Sequence, residues 1–316
     1  MIYLNIDFNS IVAQRFRVNQ YFKTIKLIRK FDFTDKDLKR IIIDIPWTID
    51  VFQKILVNLD FGANLEECCG NIDKKIIISA PANLICGQEK IYICKKSEYW
   101  QTLVREAKKE IKNDLSKEEQ KLLGMMVEWT EFDGYRVKGI ELQEDHKLKE
   151  KTKIGFYYNY TSDIYFELIR EIIKELNWQS FKVAFTPNLY LLTESILNKK
   201  KDVVVILIDN NFFEVNVIVD NTSQPIWFGQ TNQITDLNKK IIDYLAVLEK
   251  EQGGLLPAMF GKVFFRGCYT EPEIKNKIIA PLTQSGYFLD FSSQTIRSAK
   301  QNIKGKVINN LNLRYV

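Results

Sequence analysis

The chain has one histidine, His146, in the charged run Glu144-Asp145-His146-Lys147. A catalytic triad built on imidazole, or a multi-histidine metal site, is therefore not expected. Its five cysteines (Cys68, Cys69, Cys86, Cys94, Cys268) are odd in number and lack C-x-x-C spacing, which fits thiols of a reducing compartment better than disulfides or zinc. No run of eighteen apolar residues occurs, and the N-terminus has no basic-then-apolar leader pattern, so a cytoplasmic protein is expected. Neither internal repeats of solenoid period nor low-complexity segments are visible. The net charge of +5 is mild. The lysine-rich stretches Lys147–Lys153 and Lys199–Lys201 read as solvated surface, the alternative being weak attraction to an acidic partner or lipid surface. Neither interleaves aromatics with base-reading residues, so nucleic acid is not an expected partner.

What is present is a shape that occurs twice. Val203–Ile208 is a wholly apolar run ending in Asp209, followed by Asn210-Asn211 and a second β-rich run with Val215, Val217 and Val219. Such a pattern predicts a strand, a tight turn and a second strand, the first buried on both faces at the centre of a sheet. At the start, Met1–Asp7 is again a strand ending in Asp, followed by Phe8-Asn9-Ser10 and a strand over Ile11–Phe16. At either place an Asp after a strand can be a plain turn former. Two such units, each opening an α/β half, have the layout of a duplicated nucleotide cleft.

Between and after these units the patterns alternate. Gln20–Phe33 predicts one or two strands with basic edges, Ile41–Ile45 a short strand closed by Pro46, and Thr48–Leu59 a helix capped by Thr48. Gly62–Asp73 reads as a loop. Lys75–Ala80 and Lys90–Cys94 predict strands, Glu98–Ile111 a helix, Lys112–Lys121 a charged linker, and Met125–Phe132 with Tyr135–Leu142 a hairpin about Asp133-Gly134. Then come a strand at Lys153–Tyr158, a helix at Ser162–Leu176, a strand at Phe181–Thr186 and a helix at Thr186–Leu197 entered through Pro187. After the second hairpin, Pro225–Phe228 and Lys262–Phe265 predict strands, and Ile234–Glu251 and Glu271–Gln284 helices. The order β-β-β-α-β-α in each half predicts two α/β layers.

This order resembles the actin-like ATPase superfamily, and within it the branch holding the type IV pilus assembly protein PilM and the division protein FtsA. Ile76–Tyr135, with Pro81, Arg105-Glu106-Ala107 and Trp129, is similar to the insert of PilM chains; Asp209–Asp220 with Gly229 is similar to the second phosphate hairpin, Phe264–Cys268 to the adenosine-side turn, and Asn310–Arg314 to the end of those chains. The resemblance implies an α/β, actin-like (RNase H-like) two-domain fold with a small inserted α+β subdomain in the first half. Its parts would be 1–73 and 151–201 for the first domain, 74–150 for the insert and 202–316 for the second domain. ATP and Mg²⁺ would meet Asp7, Asn9, Ser10, Asp209, Asn211, Gly229 and Gly267, with Asp7 and Asp209 on the metal side. Departures stand beside these matches. Both phosphate turns lack the family's glycines, Phe212 would crowd a phosphate, and Cys268 stands where a second glycine is usual, so the ATP site reads as degenerate.

The resemblance further implies a cytoplasmic scaffold of a type IV pilus or related secretion machine, with no catalytic residues expected. It would hold the cytoplasmic tail of an inner-membrane partner in a groove walled by Ile77, Ile91, Ile93, Trp100 and Leu103, and would reach the membrane only through that partner. Self-association into dimers or filaments belongs to the same family picture. An FtsA-like adaptor is the alternative; Gln301–Arg314 has no strong basic/apolar split, so a membrane-binding helix is not expected there. A small-molecule kinase of this fold is the third reading, weakened by missing glycines and by turns without a histidine base.

Overall fold

A computed structural model describes residues 1–7, 10–19, 24–35, 38–59, 75–132, 134–138, 146–196, 202–209, 212–219, 222–231, 233–251, 259–266, 270–287, 296–297 and 314–315. The chain forms two compact units, Met1–Pro187 with Gly305–Val316, and Asn188–Lys304.

The first unit opens with β1 (Ile2–Ile6), β2 (Ser10–Asn19) and β3 (Thr24–Thr34), an antiparallel meander. Helix α1 (Ile45–Asn58) follows, then β4 (Lys75–Ala80), which lies parallel to β1. Ile2, Leu4 and Ile6 join Ile76 and Ile78 in one core with Val51, Phe52 and Ile55 of α1. The expected strand at Ile41–Ile45 and cap at Thr48 are replaced by a turn at Ile41–Ile43 and a helix that starts earlier. Pro46 is the reason: it suits a first helical turn, where its missing N–H leaves nothing unpaired. Asp44 is the cap, accepting from the Trp47 N–H at 3.1 Å. Thr48 instead ties the turn down, accepting from the Ile42 N–H at 3.0 Å and donating to the Asp44 carbonyl at 2.7 Å.

A second sheet is built from β5 (Cys86–Ile93), β7 (Gln120–Phe132), β8 (Tyr135–Lys138) and β10 (Lys153–Ser162), after the short pair β6 (Glu98–Tyr99) and β9 (Lys147–Leu148). β10, in the 151–201 stretch that the resemblance gives to the first domain, is central here, with β5 on one side and β7 on the other. Helix α2 (Trp100–Lys117) covers one face. It runs through the expected linker because Leu103, Ala107, Ile111 and Leu115 keep a four-residue spacing and are all buried, leaving the charges of Lys112–Lys117 outside. Helix α3 (Asp163–Glu175), capped by Ser162, returns to the first core, and β11 (Lys182–Pro187) completes the first sheet beside β4. That sheet has the order β11-β4-β1-β2-β3.

The second unit begins with α4 (Asn188–Ile196), then β12 (Val203–Asp209) and β13 (Phe212–Val219), the expected hairpin. β14 (Thr222–Ser223) and β15 (Trp227–Gln230) both pair antiparallel with β13. Helix α5 (Ile234–Glu251) precedes β16 (Phe260–Arg266), which is parallel to β12. A helical run of α6 (Glu271–Ile274), a π-helical segment Lys275–Ile279 and α7 (Ala280–Gln284) leads to β17 (Ile296–Arg297), parallel to β16. The sheet order β14-β13-β12-β16-β17 repeats that of the first sheet: a meander of three, then two parallel strands outside the first. Its apolar face carries Val204, Ile206, Ile208 and Val215 against Leu237, Ile241, Ile274 and Ile278. A last strand, β18 (Arg314–Tyr315), pairs with β7 of the first unit.

The expected loop at Gly62–Asp73, the turn residue Asp133 and the segment Asn310–Leu313 lie outside the described residues.

Candidate functional site

In the first unit Asp7 follows β1, at the carboxyl end of three parallel strands, where open α/β sheets place ligands. Its backbone N–H donates to the Ser10 carbonyl at 2.9 Å, so two residues, Phe8 and Asn9, make the connection. Asp7 and Ser10 are both buried. A polar row runs beneath them: Asn5 pairs with Ser79, and Ser79 with Thr186. Ser79 donates to the Asn5 side-chain oxygen at 3.2 Å, and the Tyr3 and Ser79 hydroxyl oxygens are 2.8 Å apart. Tyr3 and Asn5 were not anticipated from sequence, although Tyr3, Asn5 and Asp7 alternate with Ile2, Leu4 and Ile6, the signature of two different sheet faces.

In the second unit Asp209 is the last residue of β12, paired with Phe212 across the turn and with Arg266 on β16. This hairpin also closes over two residues. Phe212 is half-buried at its exit. Gly229 faces Phe213, and a Cβ there would lie 2.4 Å from the Phe213 ring. Glu214 and Asn216, both buried, share a face of β13. Asn216 donates to Thr193 of α4 at 3.3 Å and accepts from Ser223 at 3.0 Å. Asn9, Asn211 and Gly267 lie outside the described residues.

The residues expected to wall a partner groove separate into two groups. Ile77 is fully buried in the first sheet, with β4 between β1 and β11. Trp100 and Leu103 are core side chains of α2, Trp100 stacking on Phe156 with ring centroids 6.4 Å apart. Burial removes all three from contact with a partner. Ile91 and Ile93 are different: they stand 40% and 54% exposed on β5. β5 ends its sheet, and among the described residues no strand pairs with its outer edge. Side chains at 88, 90 and 92 face α2. Tyr92 donates to the Ala107 carbonyl at 3.3 Å, and Lys90 reaches Glu110 and Asp114, both at 2.8 Å. Burial draws the Lys90 pKa down, but the hydrogen bonds to Asp114 and Glu110 outweigh it and hold it above the usual lysine range. The Lys90 and Lys117 hydrogen bonds pull Asp114 down to about 2.

On the opposite face Ile91 lies in register with Trp129 across Gly155, and Trp129 donates its indole N–H to Glu89. Arg136 lies over that indole at 4.2 Å. Glu131 ties the charged border to Arg136 and Lys153; burial opposes its ionisation, but these two hydrogen bonds keep its pKa low.

No protein-family model matches the chain, and no curated protein matches it in sequence. Solved structures do. The PilM–PilN type IV pilus biogenesis complex superposes with a TM-score of 0.51 at 8% identity, covering 92% of this chain and 86% of that one. The chain has the actin-like ATPase fold. Weaker likenesses are to a Bacteroides thetaiotaomicron protein with an actin-like ATPase fold (TM-score 0.42, 8% identity, 88% of each chain) and to the ethanolamine utilization protein EutJ of Carboxydothermus hydrogenoformans (TM-score 0.38, 8% identity, 90% of this chain and 81% of that one).

An actin-like fold raises the question of ATP and Mg²⁺, and the turns at 8–9, 210–211 and 267–269, where the resemblance would place phosphate and adenosine, lie outside the described residues. A phosphate cradle needs backbone amides approached without side chains in the way. Among the described residues, Phe212 is half-buried after the second turn, and Gly229 gives its space to the Phe213 ring. Among the described residues no three His, Cys, Asp or Glu side chains come together as a metal site.

Proposed function

We propose that this actin-like protein is a non-catalytic scaffold of a type IV pilus or related secretion machine. It holds the cytoplasmic tail of an inner-membrane protein and stays at the membrane's cytoplasmic face through that partner. The tail lies along β5 as an added strand. Main-chain hydrogen bonds would supply affinity, and alternate side chains would meet Ile91 and Ile93 on one face and Lys90 and Tyr92 on the other. The observation that carries this reading is the outer edge of β5 with its two exposed isoleucines. The likeness to a PilM–PilN complex over most of both chains supports the pilus setting.

The test is fluorescence anisotropy with labelled peptides copied from the cytoplasmic tails of the host's single-span inner-membrane proteins. One tail is expected to bind, and Ile91→Asp with Ile93→Asp to lower its affinity at least tenfold while the unfolding midpoint stays put. If every tail fails to bind, or the double variant binds like the parent, the reading is wrong.

A further inference from the structure

The net charge of the chain is concentrated on one hairpin. Between Asp7 and Asp32 there is no Asp or Glu, while six basic residues occur: Arg15, Arg17, Lys23, Lys26, Arg29 and Lys30. Of 45 basic and 40 acidic residues in all, the remainder of the chain therefore holds 39 against 40, a net of −1.

That stretch carries β2 and β3. β1 pairs with β2 from Ile11 to Arg15, but the β2–β3 ladder continues to Asn19 and Thr24. Its far half thus extends past the end of β1. Lys26, Leu27, Ile28, Arg29 and Lys30 are exposed without interruption, Leu27 at 45% and Ile28 at 43%. Arg15 pairs with Arg29 and Phe16 with Leu27, which makes Ile28 the extra residue of a β-bulge.

Among the described residues β3 ends its sheet, yet lysines and a bulge are the devices that discourage strand addition at an edge. A second copy of the same hairpin would be repelled by its own charge. Protection of the edge accounts for the cations and the bulge; it does not account for two exposed aliphatic side chains set among them. Cations flanking exposed aliphatics suit an anionic bilayer surface, where headgroups meet the charges and the apolar side chains enter the boundary layer.

We infer that the β2–β3 hairpin is a contact site for anionic lipid headgroups, with Lys26, Arg29 and Lys30 meeting the headgroups and Leu27 and Ile28 entering the interface. Lys30 also pairs with Asp32 at 3.0 Å. The site goes beyond the tail-binding reading and adds a direct membrane contact to the one made through a partner. A single weak contact gives only reversible attachment, and two together give stable residence.

The experiment is co-sedimentation of the full chain, without any partner, with vesicles of phosphatidylglycerol and phosphatidylcholine in equal parts and with vesicles of phosphatidylcholine alone. Binding is expected to the anionic vesicles only, and to fall as salt is raised. At about one fivefold factor per cation, Lys26→Glu, Arg29→Glu and Lys30→Glu together should lower partitioning by about a hundredfold or more. Leu27→Ser with Ile28→Ser should weaken it while leaving the salt dependence. All five residues are exposed, so an unchanged unfolding midpoint checks that each variant is folded. The inference is overturned if the parent stays in solution, if it binds neutral vesicles equally, if the charge-reversed chain still sediments, or if the serine variant binds like the parent. Preferential capture of an acidic polypeptide or RNA over the anionic vesicles would overturn it too. Because the assay contains no tail peptide and leaves β5 intact, its failure would not touch the tail-binding reading.

Discussion

Single residues decide how tightly the second sheet of the first unit closes. A Cβ on Gly155 would stand 2.3 Å from both Trp129 Nε1 and Glu89 Oε1, and each of those atoms is committed to the other. Gly155→Ala is therefore expected to cost about 1–3 kcal/mol, read from denaturant unfolding, by pushing the indole off its seat. Asn216 is 0% exposed and both ends of its amide are bonded. Asn216→Ala removes one hydrogen bond from each of Ser223 and Thr193 and is expected to cost about 1–3 kcal/mol by the same measurement. Lys90 and Asp114 give a pH signature. Asp114 has a depressed pKa, so its contribution is present above the ordinary carboxylate value of 3.8 and is lost as pH falls toward about 2. Lys90, held above its ordinary value of 10.5, contributes below that value and loses the contribution in stronger base. With Lys90→Met, the part of the fall in stability between pH 4 and 2 that comes from this pair should disappear, as acid titration of the unfolding midpoint would show. An unchanged acid limb would mean the pair is screened out.

At the scale of elements, what could be read from sequence was whatever rests on local pattern. Helix α5 occupies the expected Ile234–Glu251, because Leu237, Ile241, Leu245 and Leu248 mark one face without interruption. Both Asp-bounded hairpins form as expected. α2 outran its expected end since surface charge in Lys112–Lys117 obscured Leu115, whose burial gives the last turn its reason to stay helical. Leu115→Ala should cost about 2–3 kcal/mol and lower the helical circular dichroism signal; a loss under about 0.5 kcal/mol would mean that turn is held by something other than this side chain. Which strand lies beside which was not legible. β4 reads like the start of the insert, but its partners β1 and β11 lie far from it in sequence, and no local pattern encodes such a pairing. The groove residues show the same limit: Ile77 and Ile91 have the same chemistry, and only the sheets around them make one core and the other surface.

At the scale of the whole molecule, the second unit's sheet repeats the order of the first, and whether the turns beside the two aspartates hold a nucleotide is a question of binding. Thermal unfolding with and without millimolar Mg-ATP reads this directly, since a ligand of the native state raises the midpoint with its concentration. No rise is expected. A rise that Asp209→Ala abolishes would restore nucleotide to the protein's function. Of the candidate site, the two Asp-bounded hairpins stood out in the sequence. The packing of Gly229 on Phe213 did not, because glycine beside a strand reads the same whether it makes room for a ligand or for a ring.

The strand at Arg314–Tyr315 bears on how the molecule is made. It completes a ladder with Gly124 and Met125, and the whole of the second unit is translated between the two partners. On the ribosome, where domains generally fold in order of emergence, the first unit starts first and closes last. The edge of β7 at Gly124–Met125 must wait through the synthesis of the second unit, and the loop to be closed then is long, so its entropy makes this pairing a late step. Nascent chains arrested before Gly305 should accordingly remain protease-sensitive near Gly124 after the second unit has become resistant.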